Sequence, residues 1–281
     1  MSTLVPPLFA GLVDDASVLA PSITVVAEAL AAHAQHKSAW YHDLVGSFLL
    51  PSSLVDLDFR PAGLAVGVVN DGAIGSLPAA VAKLRASGAV VRHVEAAVAR
   101  RGEDPQPGLG ALRRLAADHQ DLDVYAEIPL SWGLLAALDT VAAARGDGLR
   151  IAPKFRVGGL AAELFPTPVE LAAVVCACRD RNLPFKLAAG LRHALRHTDP
   201  ETGFTHHGFL NVLVAALYAV EGGEVAEVAE ALAATHPVPL VEPARARRDG
   251  PRPLWVGFGT ADVMDPLTEL IRLGLINGGF E

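Results

Sequence analysis

The chain has 281 residues, of which 51% are hydrophobic and 19% charged, with a formal net charge of -8. That is enough apolar material for one large α/β domain or two smaller ones, while an acidic balance with scattered arginines excludes a nucleic-acid surface. The amino terminus lacks the basic-then-apolar order of a signal peptide, and no apolar run reaches the roughly 18 residues of a membrane span, so a soluble cytoplasmic protein is expected.

Taken in order, residues 1–44 read as an N-terminal helical extension of one domain covering 1–281. Within it, Gly11-Leu12-Val13-Asp14-Asp15-Ala16 sets two acids among apolar residues ahead of the first expected strand. This pair is expected either to fold over the site opening or to serve as a helix cap or turn. From about residue 45, strand-like and helix-like segments alternate with short connections. Strands are expected at 46–50, 63–69, 90–94, 123–128, 150–157, 184–189, 239–242 and 254–257. Helices are expected at 77–86, 111–118, 134–144, 168–180, 209–220, 225–234 and 266–273. Thr167 before Pro168, with Glu170 three residues after the threonine, is a helix-start signal. About eight βα repeats in this length predict a (β/α)8 barrel, with an open doubly wound parallel sheet as the alternative because the seventh strand is short and bounded by prolines. Cys176 and Cys178 have no second cysteine pair and are expected to be small core residues.

A barrel places its site at the carboxyl ends of the strands. Glu95, Glu127, Lys154, Arg156 and Lys186 fall there. Only four lysines occur in the chain. Two of them lie in neighbouring apolar segments, Leu183-Pro184-Phe185-Lys186-Leu187 and Ile151-Ala152-Pro153-Lys154-Phe155. An ammonium inside a strand costs several kcal/mol unless it is paired, hydrated or deprotonated, so these residues point to a site or to a layer of structural ion pairs. Alternation puts Lys154 and Arg156 on one strand face. The pKa of Lys186 is expected to be depressed by its apolar flanks and by Lys154; pairing to two carboxylates would give the opposite sign and make it a structural or substrate-binding cation, against the lyase reading.

The loop after the sixth expected strand carries Arg192, His193, Arg196, His197, Asp199, His206 and His207. At least one of its histidines is expected to point into the barrel mouth. They are expected to bind substrate oxygens or hold the loop, with a divalent metal shared with Glu95 and Glu127 as the alternative; no metal ligand is assigned. Near the end, Trp255-Val256-Gly257-Phe258-Gly259-Thr260 reads as a strand end whose glycine amides accept an anion, or as ordinary turn glycines.

The head Gly11-Leu12-Val13-Asp14-Asp15-Ala16, the run Pro184-Phe185-Lys186-Leu187-Ala188-Ala189-Gly190-Leu191-Arg192-His193 and the run His206-His207-Gly208-Phe209-Leu210-Asn211-Val212 together resemble an uncharacterised group of bacterial barrel-like proteins. That resemblance brings no activity with it. Locally, Phe185-Lys186-Leu187-Ala188-Ala189-Gly190 is similar to the sixth-strand segment of deoxyribose-phosphate aldolases. The resemblance implies a Schiff-base lysine on the sixth strand, tuned by a second lysine that in the family comes from the seventh. By the strand count above, Lys186 lies on the sixth strand and Lys154 on the fifth, and Leu187-Ala188-Ala189 replaces the family's hydroxyl-bearing run.

The resulting expectation is a lyase or aldolase acting on a small anionic carbonyl compound. Lys186 would form the Schiff base, Lys154 would tune it, and Glu95 or Glu127 would move protons. Arg156, Arg192, His193, His206, His207, Gly257, Gly259, Thr260, Asp14 and Asp15 would bind substrate. No cofactor is expected. The alternatives are a metal-dependent hydrolase or lyase, and a barrel that binds a metabolite or partner without catalysis. The apolar stretch around Leu273–Ile276, taken as exposed, favours a homodimer.

Overall fold

The computed structural model describes residues 4–19, 24–55 and 63–278. Its centre is a closed barrel of eight parallel strands. In chain order these are β1 (Val13–Asp15), β2 (Val45–Pro51), β3 (Ala65–Val69), β4 (Val90–Ala97), β5 (Asp123–Glu127), β6 (Ile151–Arg156), β7 (Phe185–Ala188) and, after a small hairpin of β8 (His197–Thr198) and β9 (Thr205–His206), β10 (Trp255–Thr260). Around them lie α1 (Val26–Ser38), α2 (Leu77–Ala86), α3 (Gln106–Asp118), α4 (Leu134–Gly146), α5 (Pro168–Asp180), α6 (Phe209–Val220), α7 (Val225–Ala233), α8 (Val238–Arg247) and α9 (Met264–Arg272). This is a (β/α)8 barrel. Pairing of β1 with β10 closes it and removes the open-sheet alternative.

Most expected elements form where the hydrophobic period placed them. Thr167 and Glu170 make the reciprocal capping box that starts α5. Both cysteines are buried, and burial pushes the Cys178 thiol up to about 12, as suits a core residue rather than a reactive one.

Two differences change the strand count. Residues 239–242, expected as the seventh strand, lie in α8. Pro237 and Pro239 sit at the start of that helix, where a missing N–H costs nothing, whereas a central barrel strand would need those amides for its ladder. The eighth strand is instead β1, so residues 1–44 contribute to the barrel wall as well as supplying α1. Counted around the barrel, Lys154 is therefore on the sixth strand and Lys186 on the seventh. The carboxyl-terminal apolar stretch is not an exposed face either: Leu275 and Ile276 are buried in the chain's own core.

Interior space at the centre depends on two glycines. Gly67 on β3 is the register partner of His93 on β4, and a Cβ there would collide with the His93 ring. A Cβ at Gly46 on β2 would likewise collide with the Asp14 carboxylate. These absent side chains leave room for polar groups in a barrel otherwise filled by branched apolar ones.

Candidate functional site in the barrel centre

Parallel register brings the charged residues to one depth. Glu127 is opposite Lys154, Lys154 is opposite Lys186, and Lys186 is opposite Gly257. Lys154 Nζ lies 2.8 Å from Glu95 Oε2 and 2.7 Å from Glu127 Oε2. Lys186 Nζ donates to Asp14 Oδ2 and to Glu95 Oε1, and lies 3.4 Å from His93 Nε2 and 5.1 Å from the centre of the Tyr125 ring. Glu95 thus spans the two lysines, one oxygen to each. His93 Nε2 approaches Glu95 Oε1 at 3.1 Å, and Ser47 N donates to Asp14 Oδ1 at 2.6 Å. On the outer side, Glu127 Oε1 accepts from Arg156 Nε at 3.1 Å. Three carboxylates face three cations, so burial of this cluster leaves no net charge uncompensated.

The electrostatics reverse the expectation for Lys186. Burial alone would lower its pKa, but Asp14 and Glu95 outweigh it and hold the amine protonated above its ordinary value. Lys154 is raised in the same way against its burial, by Glu95 and Glu127. Burial opposes ionisation of Glu95, yet Lys154, Lys186 and His93 hold its carboxyl well below the usual range. Glu127 is lowered by Lys154 and Arg156 despite burial. Burial pushes the Tyr125 phenol up, so it remains a neutral hydroxyl. The expectation for Lys186 is that burial and the neighbouring lysine together depress its pKa. The carboxylates interleaved between the two ammonium groups outweigh that.

Of the residues singled out in the sequence, Asp14, Glu95, Glu127, Lys154, Arg156 and Lys186 come together. His93 and Tyr125 join them without having been foreseen. Each lies two residues before one of the acids, on the same strand face, so alternation carried the signal. The remaining candidates lie elsewhere. Asp15 turns outward from β1, where Ser17 N donates to it at 3.0 Å and the fully buried His33 on α1 meets it, also at 3.0 Å. Burial opposes ionisation of Asp15, but those bonds lower its pKa on balance. Arg192 pairs with Asp265 at 2.5 Å and His193 with Glu269 at 2.7 Å, both partners being at α9. His206 Nδ1 lies 3.3 Å from Gly190 O, and its ring stacks on His197 with centroids 5.2 Å apart. His207 is buried, with Nε2 2.8 Å from Pro166 O, and burial pushes its pKa down to about 4. No hydrogen bond or ion pair joins any of these four loop histidines to the central network among the described residues.

Gly257 and Gly259 are inside β10 rather than in a turn after it. A Cβ on Gly257 would strike the Leu12 carbonyl, and one on Gly259 would crowd Leu49 and Ala16, so both serve close packing of the closing strands. Thr260 is buried and donates to Asp262 O at 3.2 Å.

Asp14, His93 and Glu95 offer three ligand atoms within 4.8 Å of one another, the metal-ligand cluster found among the described residues. They replace the acid and loop-histidine set considered from the sequence. Lys186 Nζ contacts all three, so the position between them already holds a cation, and a divalent ion would face an ammonium at close range. The donor set therefore does not fit a metal while Lys186 is protonated.

The chain matches no protein-family model and no curated protein. Among the described residues, no helix is long and apolar enough to cross a membrane.

Proposed function

We propose that the protein is a barrel enzyme that forms a Schiff base with a small anionic carbonyl compound, and that Lys154, not Lys186, is the nucleophile. The observation that carries this reading is the pair of lysines at one register on the sixth and seventh barrel strands, each taking one oxygen of Glu95. In the aldolases that the Lys186 segment resembles, the Schiff-base lysine is on the sixth strand and its tuning partner on the seventh. With the strands counted from β1, these roles fall on Lys154 and Lys186 respectively.

Side-chain surroundings support the same division. Lys186 is enclosed by Asp14, Glu95, His93 and the Tyr125 ring. Lys154 leads outward through Glu127 to Arg156, whose side chain is 46% exposed. In the resting protein both amines are ammonium groups, so Lys154 must first pass a proton to Glu127 or Glu95. Its neutral Nζ then adds to the carbonyl carbon, the carboxyl returns that proton to the carbinolamine hydroxyl, and departure of the hydroxyl as water leaves a protonated imine that can accept electrons from a neighbouring bond. Lys186 remains a fixed cation whose charge favours loss of the Lys154 proton, and Arg156 is placed to hold the anionic group of the substrate.

Incubation with pyruvate or dihydroxyacetone phosphate and borohydride, followed by peptide mapping of the unaltered protein, tests this directly. The expected product is a reduced adduct on Lys154. Because the Lys154 pKa is raised, free amine is scarce at neutral pH, and the trapping rate should climb as pH increases toward about 10. An adduct on Lys186 instead would reverse the roles. No adduct on either lysine across that range would favour a second reading that the raised lysine pKa values also support, a barrel that binds an anion without covalent chemistry.

A further inference from the structure

We infer a second ligand site, separate from the lysine network, in the cleft between α4 and α5, which would take an uncharged apolar small molecule carrying one hydroxyl or carbonyl oxygen. The cleft has a volume of about 550 Å³ and is walled by Leu130, Leu134, Leu135, Phe165, Val174 and Ala177. That is within the range of roughly 300–1,000 Å³ found for pockets that hold small organic ligands. Helices α4 and α5 supply most of its apolar wall, and loops tied to one another close its edge. Arg101, after β4, donates through Nη1 to Glu163 O after β6 at 2.9 Å, and Gly102 N donates to Ser131 Oγ, after β5, at 3.5 Å. Three successive mouth loops are thereby tied together around one apolar hollow. The same loops carry Trp132, 71% exposed, beside the Ser131 edge of the cleft.

Polar groups at the rim define the ligand's other requirement. Arg101 has no carboxylate within ion-pair distance among the described residues and keeps N–H groups beyond the one given to Glu163 O. The Ser131 hydroxyl is a second donor. Both suit an acceptor oxygen. Glu163 and Glu170 also line the cleft, and Glu170 is already engaged by Thr167 N and Oγ1 at 2.7 and 2.8 Å. Two carboxylates beside one guanidinium disfavour an anion, which is why the ligand is assigned as neutral. A concave site with convergent donors fits a small molecule better than the flatter face of another protein.

The test uses 4-phenyl-1-butanol, which has an apolar body and one hydroxyl but no carbonyl, so it cannot form an imine and its binding is independent of the lysine chemistry. The chain has only three tryptophans, which makes the Trp132 indole N–H a resolvable NMR reporter. A saturable shift of that signal is expected. Ala173→Phe, at an exposed position of α5 that lines the cleft, should weaken binding about tenfold, and Arg101→Met should weaken the alcohol while leaving butylbenzene unaffected. A shift that stays linear into the millimolar range, or equal affinity in Ala173→Phe, would overturn the assignment. So would concentration-dependent dimerisation that buries Trp132 without ligand, which would make the cleft a contact between copies.

Discussion

The barrel centre and the loop after β7 are the two most polar regions of the mouth, and they use their polar residues in opposite ways. In the centre, charges from five strands converge and satisfy one another. In the loop, each histidine is tied to a backbone carbonyl, to α9 or to a neighbouring ring, and none reaches the centre. Strand geometry therefore matters more than residue chemistry for assembling a site here. A lysine or glutamate at the right register is brought to the axis whatever its neighbours, whereas a loop histidine goes where tertiary partners hold it.

The strongest way to break this contrast is to remove the residue that joins the two lysines. Glu95→Gln leaves one oxygen for two ammonium groups and turns an amide N–H toward one of them. A loss of about 3–5 kcal/mol in urea unfolding is expected, the usual cost of orphaning a buried charge. A loss under about 1 kcal/mol would mean that water reaches the lysines and that the centre is not a closed network.

Acid should separate the two regions, because their pKa shifts act over different ranges. His207 is depressed to about 4 from 6.5 by burial. Its contribution is therefore complete above 6.5 and is lost as the pH falls from there toward about 4, since the unfolded chain takes up the proton first. At about 1.36 kcal/mol per unit, the loss is on the order of 3 kcal/mol at most. Glu95 has the opposite pairing. Its carboxyl is held well below the usual range, so its contribution is complete above the ordinary value of 4.5 and is lost only as the pH falls below that. Hydrogen exchange at pH 5 should therefore show the segment around His207 opening while β4 and β6 stay protected. Simultaneous loss of protection in both would show that the loop has no independent stability.

A smaller effect, of about 1–3 kcal/mol, is expected for Gly67→Ala, because an added Cβ must push the His93 ring off Glu95 in a packed interior. The informative readout is the rate of borohydride trapping. If that rate is unchanged while stability falls, the contact of His93 with Glu95 supports packing and not the proton transfer from Lys154.

Much of this was legible before the fold was known. Lysines are scarce in the chain, so two of them inside apolar strands stood out, and alternation set Lys154 and Arg156 on one face. His93 and Tyr125 could have been found by continuing that alternation back from Glu95 and Glu127. The strand count was harder to read. Residues 239–242 hold only the short apolar pair Leu240-Val241, which passes for a brief strand although Pro237 and Pro239 start a helix, and the three residues of β1 are too few to show a period. Under the proposed reading, the recount moves the Schiff-base role from Lys186 to Lys154. Loop directions were not legible at all, because Glu269, Pro166 and Gly190, which fix the histidines, lie in other segments.

The smallest expected effect is at His193, and it tests whether the loop supports structure or touches chemistry. Its side chain is 44% exposed and its Nδ1 meets Glu269 Oε1, an arrangement worth at most about 1 kcal/mol at a solvent-facing position. The other Glu269 oxygen accepts from the backbone N–H of Ala194, a buried residue. Removing the two partners should therefore have unequal consequences. His193→Ala loses only the exposed contact, so stability should change by under about 1 kcal/mol. Glu269→Ala also strips a buried amide of its acceptor and should cost about 1–3 kcal/mol. Equal losses would show that Ala194 finds another acceptor. If His193→Ala slowed imine trapping on Lys154 at unchanged stability, the histidine would have to reach the substrate, and the division between a chemical centre and a structural loop would fail.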